Sequence, residues 1–365
     1  MKIIFISHLS GSIAAGLSWS VPARVLAQSK IDDVLWVDSS TKSLPHWNEI
    51  ESYHQLAEYG SLNLKYLPAA FQKPDCVVFE GFYCKEEVTF SKELNRNNIP
   101  YIIVPRGSLT YQARHNHGFL KKQIAHWLWF DSYVKRALAV QYLTKAEQYD
   151  SRNQPSRQSF VLSNGFNQPK KSKTVFSKKG LKAVFIGRLD IYHKGLDLLV
   201  GAIVKEQRLL RARNFTLGIY GPEKQDYAKL KELFVKYKID DIVTLKGEIS
   251  GEYKEKVLLE SDLFVLTSRF EGHPMGLVEA LAYGLPVLVT PGSNMSEEIT
   301  NENAGWVADG TSESIAFQLR DIVSNQFEIS EKGANARLLS KRYSWDKLAK
   351  EFHDKISELL KKNSL

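Results

Sequence analysis

Cysteine is scarce: Cys76 and Cys84 are the whole supply in 365 residues. Two thiols cannot build a disulfide framework, and so few point to a reducing, cytoplasmic setting. They also exclude a zinc site made mainly of cysteine. Long apolar runs are missing as well. No stretch approaches the roughly 18 residues that span a bilayer. The opening MKIIFISHLSGSIAAG breaks its apolar run at Ser7 and His8, so it reads as a buried first strand rather than a signal peptide. Low-complexity tracts and short repeats are absent. Acidic charge is in deficit, with 49 Lys and Arg against 41 Asp and Glu and a formal charge of +8. That balance suggests an anionic partner: nucleotide, nucleic acid or lipid surface. The basic excess is spread along the chain and forms no tail.

What is present is a repeated alternation. Short apolar runs (KIIFIS, DDVLWVD, CVVFEGF, YIIVPRG, LAVQYLT, SFVLSNG) fill the first half between helical patterns. A second set (KAVFIGRL, FTLGIYG, DIVTLKG, LFVLTSR, PVLVTPG, AGWVADG) fills the second. Near-continuous apolar strands alternating with helices predict parallel sheets covered on both faces. The length favours two domains. The fold class is therefore α/β, with two doubly wound Rossmann-like domains facing a central cleft. Residues 1–166 form the first domain and 167–344 the second; a polar, Lys-rich stretch at 164–180 reads as the linker. Leu348, Phe352, Ile356 and Leu359 recur at helical spacing in a last helix within 345–365, expected to pack back on the first domain. Ligands of such sheets bind beyond the carboxyl ends of the strands.

Three stretches carry chemistry. After the first strand, Gly11 and Gly16 mark a turn into a helix. The spacing is neither GxGxxG nor a P-loop, and the turn serves either tight geometry or an anion at the helix start. GRLDIYHKG, residues 187–195, places Arg188 and Lys194 on one strand-end loop between Gly187 and Gly195. The two cations suit a diphosphate, which Arg can fork and Lys can neutralise; solvated loop cations are the other reading. In RFEGHPMGLVEALAYGLP, residues 269–286, Glu271 precedes a helix and Glu279 lies inside it. Pro274 suits the first turn, leaving the N–H groups of Met275, Gly276 and Leu277 open to a phosphate or sugar oxygen. Carboxylates at 271 and 279 suit sugar and ribose hydroxyls, while an ion pair with a neighbouring cation is the structural alternative for Glu279.

These segments, with SNGFN at 163–167, GLSWSVPA after the first turn and VPRGSL at 104–109, together resemble the retaining glycosyltransferases of family 4, which have the GT-B fold. VPRGSL is similar to an element of bacterial cell-surface polysaccharide members. The resemblance implies that Arg188 and Lys194 neutralise the donor diphosphate, Glu271 contacts the donor sugar and Glu279 the ribose. It implies base contacts through LKGEI, with Gly247 and Ile249, and substrate contacts at Gly16 and Asn164. No metal or other cofactor is expected. Arg106 stands where many members carry a donor-facing His, and is expected at the catalytic site; His115 and His117 are weaker candidates. Asn167 replaces the family's Asp and suits a turn. His273 and Met275 are expected to help choose the sugar.

The implied activity is retaining transfer from a nucleotide-diphosphate sugar, UDP preferred, to a glycan acceptor in cell-surface polysaccharide or capsule assembly. A lipid-linked acceptor fits that setting. The basic, Trp-bearing segment 114–138 suits peripheral contact with an anionic membrane, at the inner face of the plasma membrane, or else core packing. A UDP-sugar 2-epimerase of the same fold is the alternative enzyme, and acceptor dependence separates the two. A nucleic-acid-binding protein is the non-enzymatic alternative, and no recognised nucleic-acid motif supports it.

Overall fold

The computed structural model describes residues 1–12, 16–110, 130–152, 158–177, 179–223 and 226–363. The chain divides into two units, Met1–Gly165 with Trp345–Leu365, and Phe166–Ser344.

The first unit holds seven strands: β1 (Lys2–Ser7), β2 (Asp33–Asp38), β3 (Tyr53–Gln55), β4 (Cys76–Glu80), β5 (Tyr101–Ile103), β6 (Ala139–Tyr142) and β7 (Ser159–Val161). They are ordered β3-β2-β1-β4-β5-β6-β7 and every pairing is parallel. The second unit holds β8 (Leu181–Ile186), β9 (Phe215–Tyr220), β10 (Val243–Leu245), β11 (Leu263–Leu266), β12 (Val287–Val289) and β13 (Gly305–Val307), ordered β10-β9-β8-β11-β12-β13 and again all parallel. In both sheets the order reverses at one place, between β1 and β4 and between β8 and β11. That switch opens a crevice at the carboxyl edge. The fold is thus two Rossmann-like α/β units. All twelve apolar runs become strands; β3 is additional, a polar three-residue edge strand.

Burial explains the patterning. β4 is covered along its whole length, and β11 likewise. The amphipathic helix Trp345–Asn363 turns Leu348, Phe352, Ile356 and Leu359 inward. Of these, Leu348, Phe352 and Ile356 join Phe5, Val21, Val25 and Trp36 in one cluster of the first unit. The stretch read as a linker is largely fixed to the second unit. Lys173 donates its amide to the Tyr283 carbonyl at 2.8 Å, Ser177 donates its own to Asp262 at 3.1 Å, and Phe166 bridges to Ser344. Polar composition there satisfies neighbouring backbone groups rather than conferring freedom.

Candidate functional site

The second unit gathers several candidate site side chains at the switch between β8 and β11. The loop after β8 reaches the loop after β11 because Gly195 adopts φ +60, and a Cβ there would lie 2.0 Å from the Thr267 carbonyl oxygen. Only glycine permits that approach. The contact is then sewn together. Thr267 donates its hydroxyl to the Lys194 and Gly195 carbonyls at 3.2 and 3.1 Å, and Arg269 donates its amide to the His193 carbonyl at 2.9 Å. The Arg269 guanidinium makes two 2.7 Å bonds to Asp197 and a third to the Tyr192 carbonyl. Phe270 stacks on the His193 ring, centroids 4.1 Å apart.

This seam sets Lys194 Nζ 2.6 Å from Glu271 Oε1, with the two side chains 12% and 9% exposed. The Ser268 hydroxyl donates to the same carboxylate oxygen, and the Asn294 amide donates to the Glu271 carbonyl. Arg188, on the same loop as Lys194, is exposed and has no hydrogen-bond or ion-pair partner among the described residues. Burial, partly countered by Glu271 and reinforced by Lys194 and Arg188, holds the His193 imidazole below its usual value, so it is neutral at pH 7.

Glu279 lies on the helix Met275–Ala282. Its carboxylate meets Lys254 Nζ at 2.7 Å, the ion-pair alternative raised by the sequence. Burial raises its pKa and Lys254 opposes the rise. Lys254 belongs to the helix Gly251–Glu260, which follows directly on Gly247 and Ile249. Gly247 adopts φ +72 and accepts the Gly221 amide at 2.9 Å, while the Ile249 side chain packs on the core. One expectation is corrected here. Pro274 precedes the first helical residue and caps the helix with its carbonyl, which accepts from Leu277 at 2.9 Å and Val278 at 3.1 Å. The Leu277 amide is therefore used within the first turn, and Met275 and Gly276 are the two amides left without a backbone partner among the described residues. His273 is half-buried, its ring 5.6 Å from that of Tyr343. Gly187, half-buried at the end of β8, accepts no larger residue at its neighbour: a Cβ on Gly221 would come within 2.2 Å of the Gly187 oxygen.

The first unit has its own charged group at the carboxyl edge. Arg106 follows β5 in a left-handed conformation, φ +51. Its guanidinium, 6% exposed, pairs with Glu80 at 2.6 Å and donates to Ser20 at 3.2 Å and Asn164 at 3.0 Å. Arg24 closes on the other Glu80 oxygen at 2.9 Å. Burial pushes the Glu80 carboxyl up, but Arg106 and Arg24 together bring it below the ordinary carboxylate value. Burial lowers Arg24 to about 10 against the attraction of Glu80. Arg106 thus compensates the carboxylate buried at the end of β4. Asn164 contributes its Oδ1 to the same guanidinium. Gly16 has φ −56 as the cap of the helix Leu17–Gln28, and a Cβ there meets nothing within 4 Å among the described residues. Local backbone geometry therefore does not demand glycine at that position.

Sequence reasoning passed over Glu80, Arg24, His193, Ser268, Asn294 and Lys254. A charge ending an apolar run (Glu80) was a readable signal; a partner 77 residues away, as between Lys194 and Glu271, was not. His115, His117 and residues 114–129 lie outside the described residues. Among the described residues no group of three or more His, Cys, Asp or Glu is arranged to hold a metal, and no helix is long and apolar enough to cross a membrane.

Residues 167–339 match the family of glycosyl transferases group 1. An uncharacterized glycosyltransferase of Methanocaldococcus jannaschii is 32% identical over 173 residues, 46% of this chain and 42% of that protein. The putative colanic acid biosynthesis glycosyltransferase WcaL of Escherichia coli is 31% identical over 35% of this chain and 32% of its own length. The chain thus spans less than half the length of these relatives. Among solved structures, HepE of Anabaena in complex with UDP and glucose superposes with a TM-score of 0.74 at 18% identity, covering 98% of this chain and 100% of that one. Sucrose-phosphate synthase of Thermosynechococcus elongatus gives 0.71 at 16%, with 98% and 99% covered. These likenesses show the two-unit GT-B fold.

Proposed function

With residues 167–339 belonging to glycosyl transferases group 1, we propose that the chain is a retaining glycosyltransferase that takes a UDP-sugar as donor and a glycan of cell-surface polysaccharide assembly as acceptor. The observation that carries the reading is the paired Lys194 and Glu271 beside the unpartnered Arg188, all beyond the carboxyl ends of β8 and β11. Arg188 and Lys194 take the diphosphate, helped by the Met275 and Gly276 amides at a helix start. Donor binding exchanges partners: Lys194 moves its charge from Glu271 to phosphate, which frees the carboxylate for sugar hydroxyls. Glu279, held by Lys254, takes the ribose hydroxyls, and the backbone around Gly247 and Ile249 takes the base. His273 and Met275 border Glu271 in sequence and select the sugar.

In the transfer, the bond between the anomeric carbon and the diphosphate oxygen breaks. The acceptor hydroxyl oxygen bonds to that carbon on the same face, and its proton goes to the departing diphosphate. The two cations offset the negative charge that grows on the leaving group, so the reading needs no metal. Arg106 acts as a positioning residue, orienting Asn164 from its pairing with Glu80. UDP is supported by the UDP held in HepE, and a polysaccharide acceptor by WcaL. A lipid-linked acceptor, contact with an anionic membrane and a cytoplasmic site belong to the same reading.

Thermal melting with UDP, GDP, ADP, CMP and their common sugars, without metal, tests it. Binding to the native state raises Tm by linkage. UDP and one of its sugars should raise Tm in the unmodified chain and much less in Glu279→Gln. No shift with any nucleotide sinks the donor reading.

A further inference from the structure

The helix Lys85–Arg96 follows β4 and runs back to the amino-terminal edge of the first unit's sheet. The short helix Asp131–Arg136 ends at that same edge, just before β6. Between their last turns lies a hollow of about 340 Å³, whose polar lining is Ser91, Lys92, Asn95, Arg96, Ser132 and Arg136. Among the described residues three cations face it and no carboxylate does. None of Lys92, Arg96 and Arg136 has a hydrogen-bond or ion-pair partner among the described residues. The carboxylate nearest in sequence, Glu93, is turned to the Leu64 amide at 3.2 Å.

Helix geometry sharpens the oddity. Lys92 and Arg96 stand four residues apart, so their like charges lie one above the other on one face, an arrangement that works against the helix. The carbonyl end of each helix favours a nearby cation, which accounts for Arg96 and Arg136. It does not account for Lys92, one turn further in, or for a hollow without any acid among the described residues. An anion seated there would relieve the repulsion of all three. Two guanidinium forks and an ammonium, with Ser132 at the rim, match a phosphate group with several oxygens.

We propose that this hollow is a phosphate-binding site of the first unit, taking a phosphate or diphosphate group, free in solution or at the head of an anionic lipid. It is separate from the nucleotide site read at β8 and β11. The three residues lie at the amino edge, opposite the edge where β4 delivers Glu80, so the site serves anchoring or regulation and not the transfer step.

The test compares the full chain with a Lys92→Gln, Arg96→Gln, Arg136→Gln variant, and with Lys194→Ala. Inorganic diphosphate is titrated by calorimetry, and phosphatidylglycerol or phosphatidylcholine vesicles are pelleted with each protein. Diphosphate binding at this hollow is expected to weaken by about tenfold or more in the triple variant and to persist in Lys194→Ala, which weakens only the binding at the donor loop, with the UDP melting shift unchanged in the triple variant. Loss of phosphatidylglycerol pelleting alone also supports the site and names a lipid head as its ligand. Should the triple variant melt early, Arg96→Gln alone is read in the same way. Equal binding of both probes in variant and unmodified chain, or no binding of either probe, overturns the proposal, while the UDP shift separately reports on the donor site.

Discussion

The two units place a carboxylate among cations at the same point of the same fold, and they do so to opposite ends. In the first, Glu80 lies fully buried between Arg24 and Arg106, and the two guanidiniums also donate to protein oxygens of Gln141, Ser20 and Asn164. In the second, Glu271 holds Lys194 while Arg188 stands exposed with no described partner. A group engaged by several partners of its own chain keeps a structure together. One whose capacity is left over can take a ligand. Residue type alone does not distinguish them, because both are Arg and Lys beside Glu.

Removing Glu80 should break that contrast most strongly. Glu80→Ala leaves two buried guanidiniums without their counter-charge, and such losses cost about 3–5 kcal/mol; chemical denaturation should show a drop of that size. The paired and the unpartnered cation of the second unit should then separate. Lys194→Ala and Arg188→Ala should each weaken UDP binding by about tenfold, a change of about 1.4 kcal/mol. Only Lys194→Ala should also lower stability, since it strands Glu271; Arg188→Ala, at an exposed position, should stay within about 0.5 kcal/mol. Equal stability losses from both would erase the distinction between filled and spare capacity.

Glu87 sharpens the comparison from the acid side. It is buried in the first turn of the helix Lys85–Arg96 without a cation partner among the described residues, and burial, then Glu80, Glu86 and Asp38, push its pKa from 4.5 to about 8. The folded state therefore binds a proton that the unfolded state releases, so this group's contribution to stability falls as pH rises from about 4.5 to about 8, and levels off above. Glu87→Gln should flatten that slope and stabilise the chain by about 1–3 kcal/mol near pH 8. Urea melts at pH 6 and pH 8 on both proteins check it; an unchanged slope would mean that Glu87 finds a partner in solution.

Much of the scaffold was legible because strands covered on both faces must be apolar end to end. β3 escaped because its residues, Tyr53, His54 and Gln55, sit at a sheet edge and carry no such run. Lys194, Glu271 and Glu279 stood out singly, but their partners did not: Lys254 reaches Glu279 only through the path of a separate helix, and Ser268 and Asn294 are unremarkable polar residues until the loops close. The pairing of Arg106 was hidden for a related reason. Sequence shows that a cation follows β5, not that φ +51 turns it toward Glu80. The Leu277 amide was misread because Pro274 caps the helix instead of beginning it.

The bridge between Phe166 and Ser344 brings together the two points where the chain enters and leaves the second unit. In the order of synthesis, the second unit is complete in sequence by residue 344, whereas the first still lacks Trp345, Leu348, Phe352 and Ile356. On the ribosome the part made first is thus the part finished last. Until its final helix emerges, the first unit keeps the apolar face around Phe5, Val21 and Trp36 uncovered, the period in which a nascent chain is open to aggregation and to chaperones.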